Sequence, residues 1–163
     1  MLLERFRTAK QAEVEALRVF ETQGALPAAY EGQRPDFAAA LTRQQHTGSG
    51  GGSPLAVVAE YKRASPSRGV ICENLDVEDV ARQYAAAGAS AVSVLTEETF
   101  FRGRLEYLAR AADPALYNGP RVPLLRKDFI FDPLQVRATA ATPASALLLI
   151  VRLTPDAATL RAL

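Results

Sequence analysis

The sequence is poor in the residues that build cross-links and metal cages. One cysteine, Cys72, and one histidine, His46, stand among 163 residues. A disulfide framework is therefore excluded, as is a Cys/His zinc cage drawn from this chain. No sign of charge dominates either. Nineteen basic against eighteen acidic residues leave a formal net charge of +1. With no polybasic block there is no electrostatic footprint for nucleic acid or anionic lipid, and neither is an expected partner. Long apolar runs are missing too. The nearest, Ala144 to Val151, falls far short of the roughly 20 residues that span a bilayer, so no membrane span is expected. Residues Met1 to Phe20 mix Glu4, Glu13 and Glu15 with Arg5, Arg7 and Lys10. That mixture fits neither a signal peptide nor an acid-poor transit peptide, and the expected location is the cytoplasm. The remaining composition, 48% apolar and 23% charged, is that of one globular domain with an appended segment.

Leu2, Phe6, Ala9, Ala12, Ala16 and Phe20 recur three or four apart, which predicts an amphipathic helix over residues 2–20 with a weak, alanine-rich stripe. Phe37, Ala38 and Leu41 predict a second, short helix within 35–44. Four of the ten glycines lie between Gly48 and Gly52, so residues 47–54 read as a linker between a helical extension, 1–46, and a main unit, 55–163. Beyond the linker, strands are expected at Leu55–Tyr61, Ala91–Leu95, Val122–Arg126 and Ala146–Val151. Between them, Asp76 is positioned to cap a helix bearing Val77, Val80, Ala81 and Tyr84, ended by Gly88. Leu105, Leu108 and Ala109 mark another, closed by Asp113-Pro114. Asp132-Pro133 and Thr154-Pro155 each read as an N-cap followed by proline. The order βαβαβαβα with near-continuous apolar strands predicts a parallel α/β sheet, barrel or open.

Reactive groups in such sheets sit at the carboxyl ends of the strands. The first strand ends Glu60-Tyr61-Lys62-Arg63-Ala64-Ser65-Pro66, and the period of two puts Glu60 and Lys62 on one face. The third ends Arg126-Lys127-Asp128-Phe129, bringing Lys127 to the same rim. A lysine in a partly desolvated pocket beside another cation is drawn toward a pKa useful for proton transfer, an effect that Glu60 opposes. A Glu and Lys two apart also suit a solvent-exposed edge. Their position at the end of an apolar strand, before a Ser-Pro-Ser loop, favours the rim. Phe100 and Phe101 follow the second strand. As neighbours they are expected on opposite faces, so that both would not pack in one place, and a rim phenylalanine suits an aromatic substrate. Arg102-Gly103-Arg104 reads as a solvated loop, His46 as a surface residue and Cys72 as a small buried one.

Three segments in register carry a resemblance. Ala56-Val-Val-Ala-Glu-Tyr-Lys-Arg-Ala-Ser-Pro-Ser67, Ala91-Val-Ser-Val-Leu-Thr-Glu97 followed by Phe100-Phe-Arg-Gly103, and Leu124-Leu-Arg-Lys-Asp-Phe-Ile130 with Asp132-Pro133 resemble indole-3-glycerol phosphate synthase. Leu147 to Val151 resembles its fourth strand, and Met1 to Leu41 the extension before its barrel. The resemblance implies a TIM (β/α)8-barrel lyase of tryptophan biosynthesis. It would close the ring of 1-(2-carboxyphenylamino)-1-deoxyribulose 5-phosphate with loss of CO2 and water, using no metal or organic cofactor. It casts Lys127 as the general acid on the ribulose carbonyl, Lys62 as an anion binder sharing that role, and Glu60 as a proton relay. Arg63, Ser65 and Pro66 would bind substrate, the latter two at its anthranilate end, where Phe101 and Phe129 would pack on the ring. Pro143 stands where the family commonly has glycine. Strand starts at 55, 91, 122 and 146 space four βα units, against a barrel of about 250 residues. The expectation is thus an incomplete barrel of about four βα units, lacking the groups of the later strands. Two consequences are expected of it: self-association through exposed sheet edges, and, as the alternative to catalysis, a silent half-barrel serving only binding or assembly.

Overall fold

The computed structural model describes residues 2–42 and 55–163. The glycine-rich segment 47–54 and His46 lie outside the described residues. After the helices α1 (Leu2–Thr22) and α2 (Phe37–Thr42), strand β1 (Val58–Tyr61) leads into a small hairpin, β2 (Ala64–Ser65) and β3 (Gly69–Val70). Then follow α3 (Val77–Ala86), β4 (Ala91–Leu95), α4 (Tyr107–Ala111), a 3-10 turn (Pro114–Leu116), β5 (Leu124–Ile130), α5 (Pro133–Ala140), β6 (Ala146–Leu149) and α6 (Ala157–Ala162). The four long strands form one parallel sheet in the order β1-β4-β5-β6. The expected alternation of parallel strands and helices is what the chain adopts. None of the described helices is long and apolar enough to cross a membrane.

Central burial follows from the sequence of the middle strands. All five residues of β4 are buried. Val92, Val94 and Leu124 meet Val77, Val80 and Ala81 of α3 and Tyr107, Leu108 and Ala111 of α4 in the main core. Asp132 caps α5 with a complete capping box, its carboxylate accepting from the backbone while Gln135 reaches back to the cap. Glycine is required at Gly103 by a close approach. A Cβ there would lie 2.7 Å from the carbonyl carbon of Leu95 and 2.8 Å from that of Thr96, while its own N–H donates to the Glu97 carbonyl at 2.7 Å. Gly103→Ala is expected to destabilise the fold by about 1–3 kcal/mol through overpacking against main chain, read as a shift in the urea midpoint.

Several local expectations are corrected. The buried side of α1 is Phe6, Lys10 and Val14, with Leu3 and Leu17 half-buried and Ala12, Ala16 and Phe20 exposed. Counting Lys10 as polar rotated the expected stripe, because this lysine turns inward to a buried carboxylate. On α2, Ala38 and Leu41 are exposed and Phe37 half-buried. Strand β1 begins three residues late, and β5 continues four residues past Arg126, carrying Lys127 and Asp128 inside the sheet. Asp76 occupies the N-cap of α3 without a side-chain cap bond; its carboxylate instead faces Arg110 at 3.5 Å. Asp113 opens the 3-10 turn, accepting from Ala115, and Ala109 is exposed while Tyr107 joins the core. The last helix is capped by Asp156, not Thr154, whose hydroxyl is buried without a partner. Cys72 is half-exposed, and Gly103 is buried instead of solvated.

Candidate functional site

Parallel register builds the site. Glu60 lies beside Ser93, Ser93 beside Leu125, and Leu95 beside Lys127. Side chains of one parity therefore rise from three adjacent strands onto one side of the sheet. Ser93, lying between Glu60 and Leu125, is small, so nothing bulky separates Glu60 from Lys127. The Glu60 carboxylate accepts from Lys62 Nζ at 2.8 Å through one oxygen and from Lys127 Nζ through the other. Each of the three side chains keeps between a quarter and two-fifths of its surface open to solvent. They line a small cleft with an aliphatic floor, Leu95, Leu148 and Ile150, and an aromatic wall, Phe101 and Phe129.

Phe100 and Phe101 do not diverge as expected. They sit in a turn, not on a strand, and both rings meet Phe6 of α1, Phe100 edge-on at 5.1 Å and Phe101 at 6.0 Å. Phe6 in turn stacks on Phe129 at 4.1 Å and 14°. The aromatic wall is thus backed by the N-terminal helix. The other residues expected at the site stand apart from this cleft. Arg63 donates to the Tyr107 hydroxyl at 2.9 Å and the Glu73 carbonyl at 3.2 Å. Ser65 lies in the β2-β3 hairpin, its hydroxyl accepting from Arg68 N–H, and Pro66 is exposed at the hairpin turn.

Behind the cleft lies a charged layer that sequence reading missed. Alternation along β5 sends Arg126 and Asp128 to the face opposite Lys127, where α1 and α5 cover them. Arg126 is 1% exposed and bonds to Thr96, Thr139, Asp128, Glu13 and the Gln135 carbonyl. Asp128 accepts in addition from Lys10 at 3.0 Å and Thr96 at 2.6 Å. Glu97, 1% exposed, is a second omission; it closes the turn that carries the two phenylalanines. The available signal was the run Arg-Lys-Asp inside a strand covered on both faces, since a charge there must find a partner.

Both carboxylates carry depressed pKa values. Burial pushes Glu60 up, but hydrogen bonds from Lys127 and Lys62, with their positive charge, outweigh it and hold the group below its ordinary value. Burial likewise raises Asp128, and the Arg126 and Lys10 charges with the Thr96 and Arg126 bonds bring it down. A carboxylate lowered on folding binds fewer protons native than unfolded, so its stabilisation is complete above the unfolded pKa, about 4. It is lost as pH falls through the lower native value. Urea midpoints are therefore expected to stay level from neutral pH to about 5 and to drop below about 4, with Asp128→Asn flattening the acid limb. A midpoint independent of pH across that range would contradict this. Among the described residues, no group of three or more His, Cys, Asp or Glu side chains could hold a metal ion.

Comparison with known proteins bears on this arrangement. A model of the family "Indole-3-glycerol phosphate synthase" matches residues 3–163. An indole-3-glycerol phosphate synthase of Roseiflexus sp. (strain RS-1) is 44% identical over 159 residues, covering 95% of this chain and 56% of that protein. One from Chloroherpeton thalassium is 41% identical over 163 residues, with 95% and 57% covered. One from Burkholderia multivorans is 43% identical over 152 residues, with 91% and 54% covered. The chain spans about half the length of the curated relatives it matches.

Proposed function

The chain belongs to the indole-3-glycerol phosphate synthase family, and from that premise we propose that its cleft carries one wall of a decarboxylating ring-closure site. The family fold is the TIM barrel, of which the four parallel strands and their helices are a part. The substrate is 1-(2-carboxyphenylamino)-1-deoxyribulose 5-phosphate. One observation supports this reading above the rest: the Glu60 carboxylate lies between the ammonium groups of Lys62 and Lys127 in a cleft walled by Phe101 and Phe129.

The chemistry asks for such groups. The aryl carbon attacks the ribulose carbonyl only as negative charge on that oxygen is neutralised, and the Lys127 ammonium donates there. A new carbon–carbon bond forms, the carboxyl leaves as CO2, and loss of water with removal of a proton restores aromaticity. Lys62 holds an anionic group of the substrate. Glu60, already bridging both lysines, takes up and returns the proton, and the phenylalanines contact the aryl ring. No metal or organic cofactor enters these steps. The reaction belongs in the cytoplasm, where phosphorylated intermediates are retained.

The test supplies the substrate to the chain alone and to the chain mixed with the portion of the Roseiflexus relative that it does not match. Indole-glycerol fluorescence is followed. Turnover is expected in the mixture; its absence from both would overturn the reading. A second reading rests on Leu55, Val57 and Val58, which are 73%, 55% and 40% exposed at or just before β1, an outer strand of the sheet. Such an edge favours pairing with another chain. Sedimentation velocity is then expected to show a dimer or larger species, and a monomer would exclude it.

A further inference from the structure

We propose that Glu97 is a positioning residue that holds the aromatic wall of the cleft in place. Its carboxylate lies at the end of β4, nearly sealed from solvent at 1% exposure. One oxygen accepts from the N–H of Thr99 at 2.9 Å. The other accepts from Phe100 at 2.7 Å and Phe101 at 3.0 Å. Three consecutive amides converge on one anion, the arrangement in which turn backbone binds anionic groups most readily. Here the anion is part of the chain. The Glu97 carbonyl closes the turn by accepting from Gly103, and Arg102 between them adopts a left-handed φ of 53°. The Phe101 ring projects from this turn toward Phe129, 6.0 Å away, and lines the cleft beside Lys127 and Glu60.

The consequence concerns orientation. A ring whose backbone amide is tethered to a buried carboxylate cannot follow the solvent-exposed part of the loop, so the cleft presents a fixed plane to an aryl group. Correct placement of reacting atoms is worth large factors in rate, and small displacements forfeit them. Glu97 touches no substrate in this scheme. It acts through Phe101. This inference rests on the reading that the cleft accepts an aromatic ring, but the tether itself can be tested without substrate.

The chain contains no tryptophan, so Phe101→Trp installs a single tryptophan at the wall, excited selectively over the tyrosines at the red edge of their absorption. In the full chain its emission is expected to be blue-shifted and poorly quenched by acrylamide. Adding Glu97→Gln, which keeps the shape but removes the charge, is expected to red-shift it and raise quenching several-fold while far-UV dichroism is retained. Unchanged emission and quenching would overturn the proposal. Should the double variant fail to fold, hydrogen exchange on the unsubstituted chain decides. The amides of Thr99, Phe100 and Phe101 are expected to exchange at least about tenfold more slowly than in an unstructured chain, as befits bonds to a charged acceptor. Exchange at the unstructured rate would refute the tether.

A binding arm separates this proposal from the functional reading. 2-Aminobenzoate serves as the probe. Glu97→Gln is expected to weaken its binding about tenfold in the parent, the loss of one charge-assisted bond or more, and to change nothing in a Phe101→Ala background. Equal weakening in both backgrounds would reduce Glu97 to a general structural role and sink the positioning claim. Failure of the parent to bind the probe, with emission and exchange as expected, would count against the functional reading and leave the tether standing.

Discussion

Arg126→Met is expected to cost about 3–5 kcal/mol of folding stability. In a domain of this size that lowers the thermal midpoint by roughly 2–4 °C per kcal/mol. The cost does not come from a lost attraction alone. Arg126 reaches Asp128 at 2.9 Å and Glu13 at 3.2 Å while two further donors meet Thr139 and the Gln135 carbonyl. Methionine fills much the same volume, yet it leaves the Asp128 side chain, fully shielded from solvent, with Lys10 as its remaining cation among the described residues. Breaking one side of a buried pair is the costly operation; replacing all sides by apolar groups is often neutral. Combining Arg126→Met with Asp128→Leu and Lys10→Met is accordingly expected to recover part of the loss. Denaturant unfolding of the parent, the single variant and the triple variant provides the comparison. A single-variant loss under about 1 kcal/mol would mean that water already shares the site.

Lys127→Ala is expected to lower kcat by about 10²–10⁴ in the complemented enzyme, the range for removal of a general acid. Stability should change little by comparison, because the Lys127 side chain is 40% exposed and its truncation opens no sealed void. A second effect accompanies it. Of the two lysines that hold the Glu60 carboxyl down, Lys127 acts more strongly, so without it Glu60 is expected to titrate at higher pH, visible in the carboxyl carbon shift by NMR. A kcat within threefold of the parent would remove Lys127 from the reaction. A lowered kcat with unmoved Glu60 titration would keep the acid role and discard the coupling.

These effects lie on opposite faces of one strand, and that difference explains what the sequence could disclose. The βα order, the α5 cap at Asp132 and the shared rim of Glu60, Lys62 and Lys127 follow from period, N-cap chemistry and alternation, which are local. Partners across the fold are not local. Nothing near Asp128 in sequence names Lys10, 118 residues away, and nothing in the Phe100-Phe101 pair names Phe6. The hydropathy stripe of α1 failed for the same reason: its inward face contains Lys10 and Glu13, which read as solvated until Arg126 and Asp128 are known to be there. The resemblance casts Arg63 as a substrate contact, and its guanidinium donates to the Tyr107 hydroxyl and the Glu73 carbonyl, partners 44 and 10 residues away that its local sequence does not name.

The docking of α1 also sets a clock. Its anchors to β5 join Glu13 to Arg126 across 113 residues and Lys10 to Asp128 across 118. At about 5–20 residues per second, a ribosome that has finished α1 at Thr22 needs roughly 5–21 s more before those partners have been made. Throughout that interval the helix must stay dissolved with its binding face bare. Lys10 and Glu13 interrupt the apolar face formed by Phe6 and Val14, which makes it less prone to misassociation than an unbroken leucine stripe. The side chains that anchor α1 to β5 in the finished fold are thus expected also to keep that helix hydrated until the strand that receives it emerges.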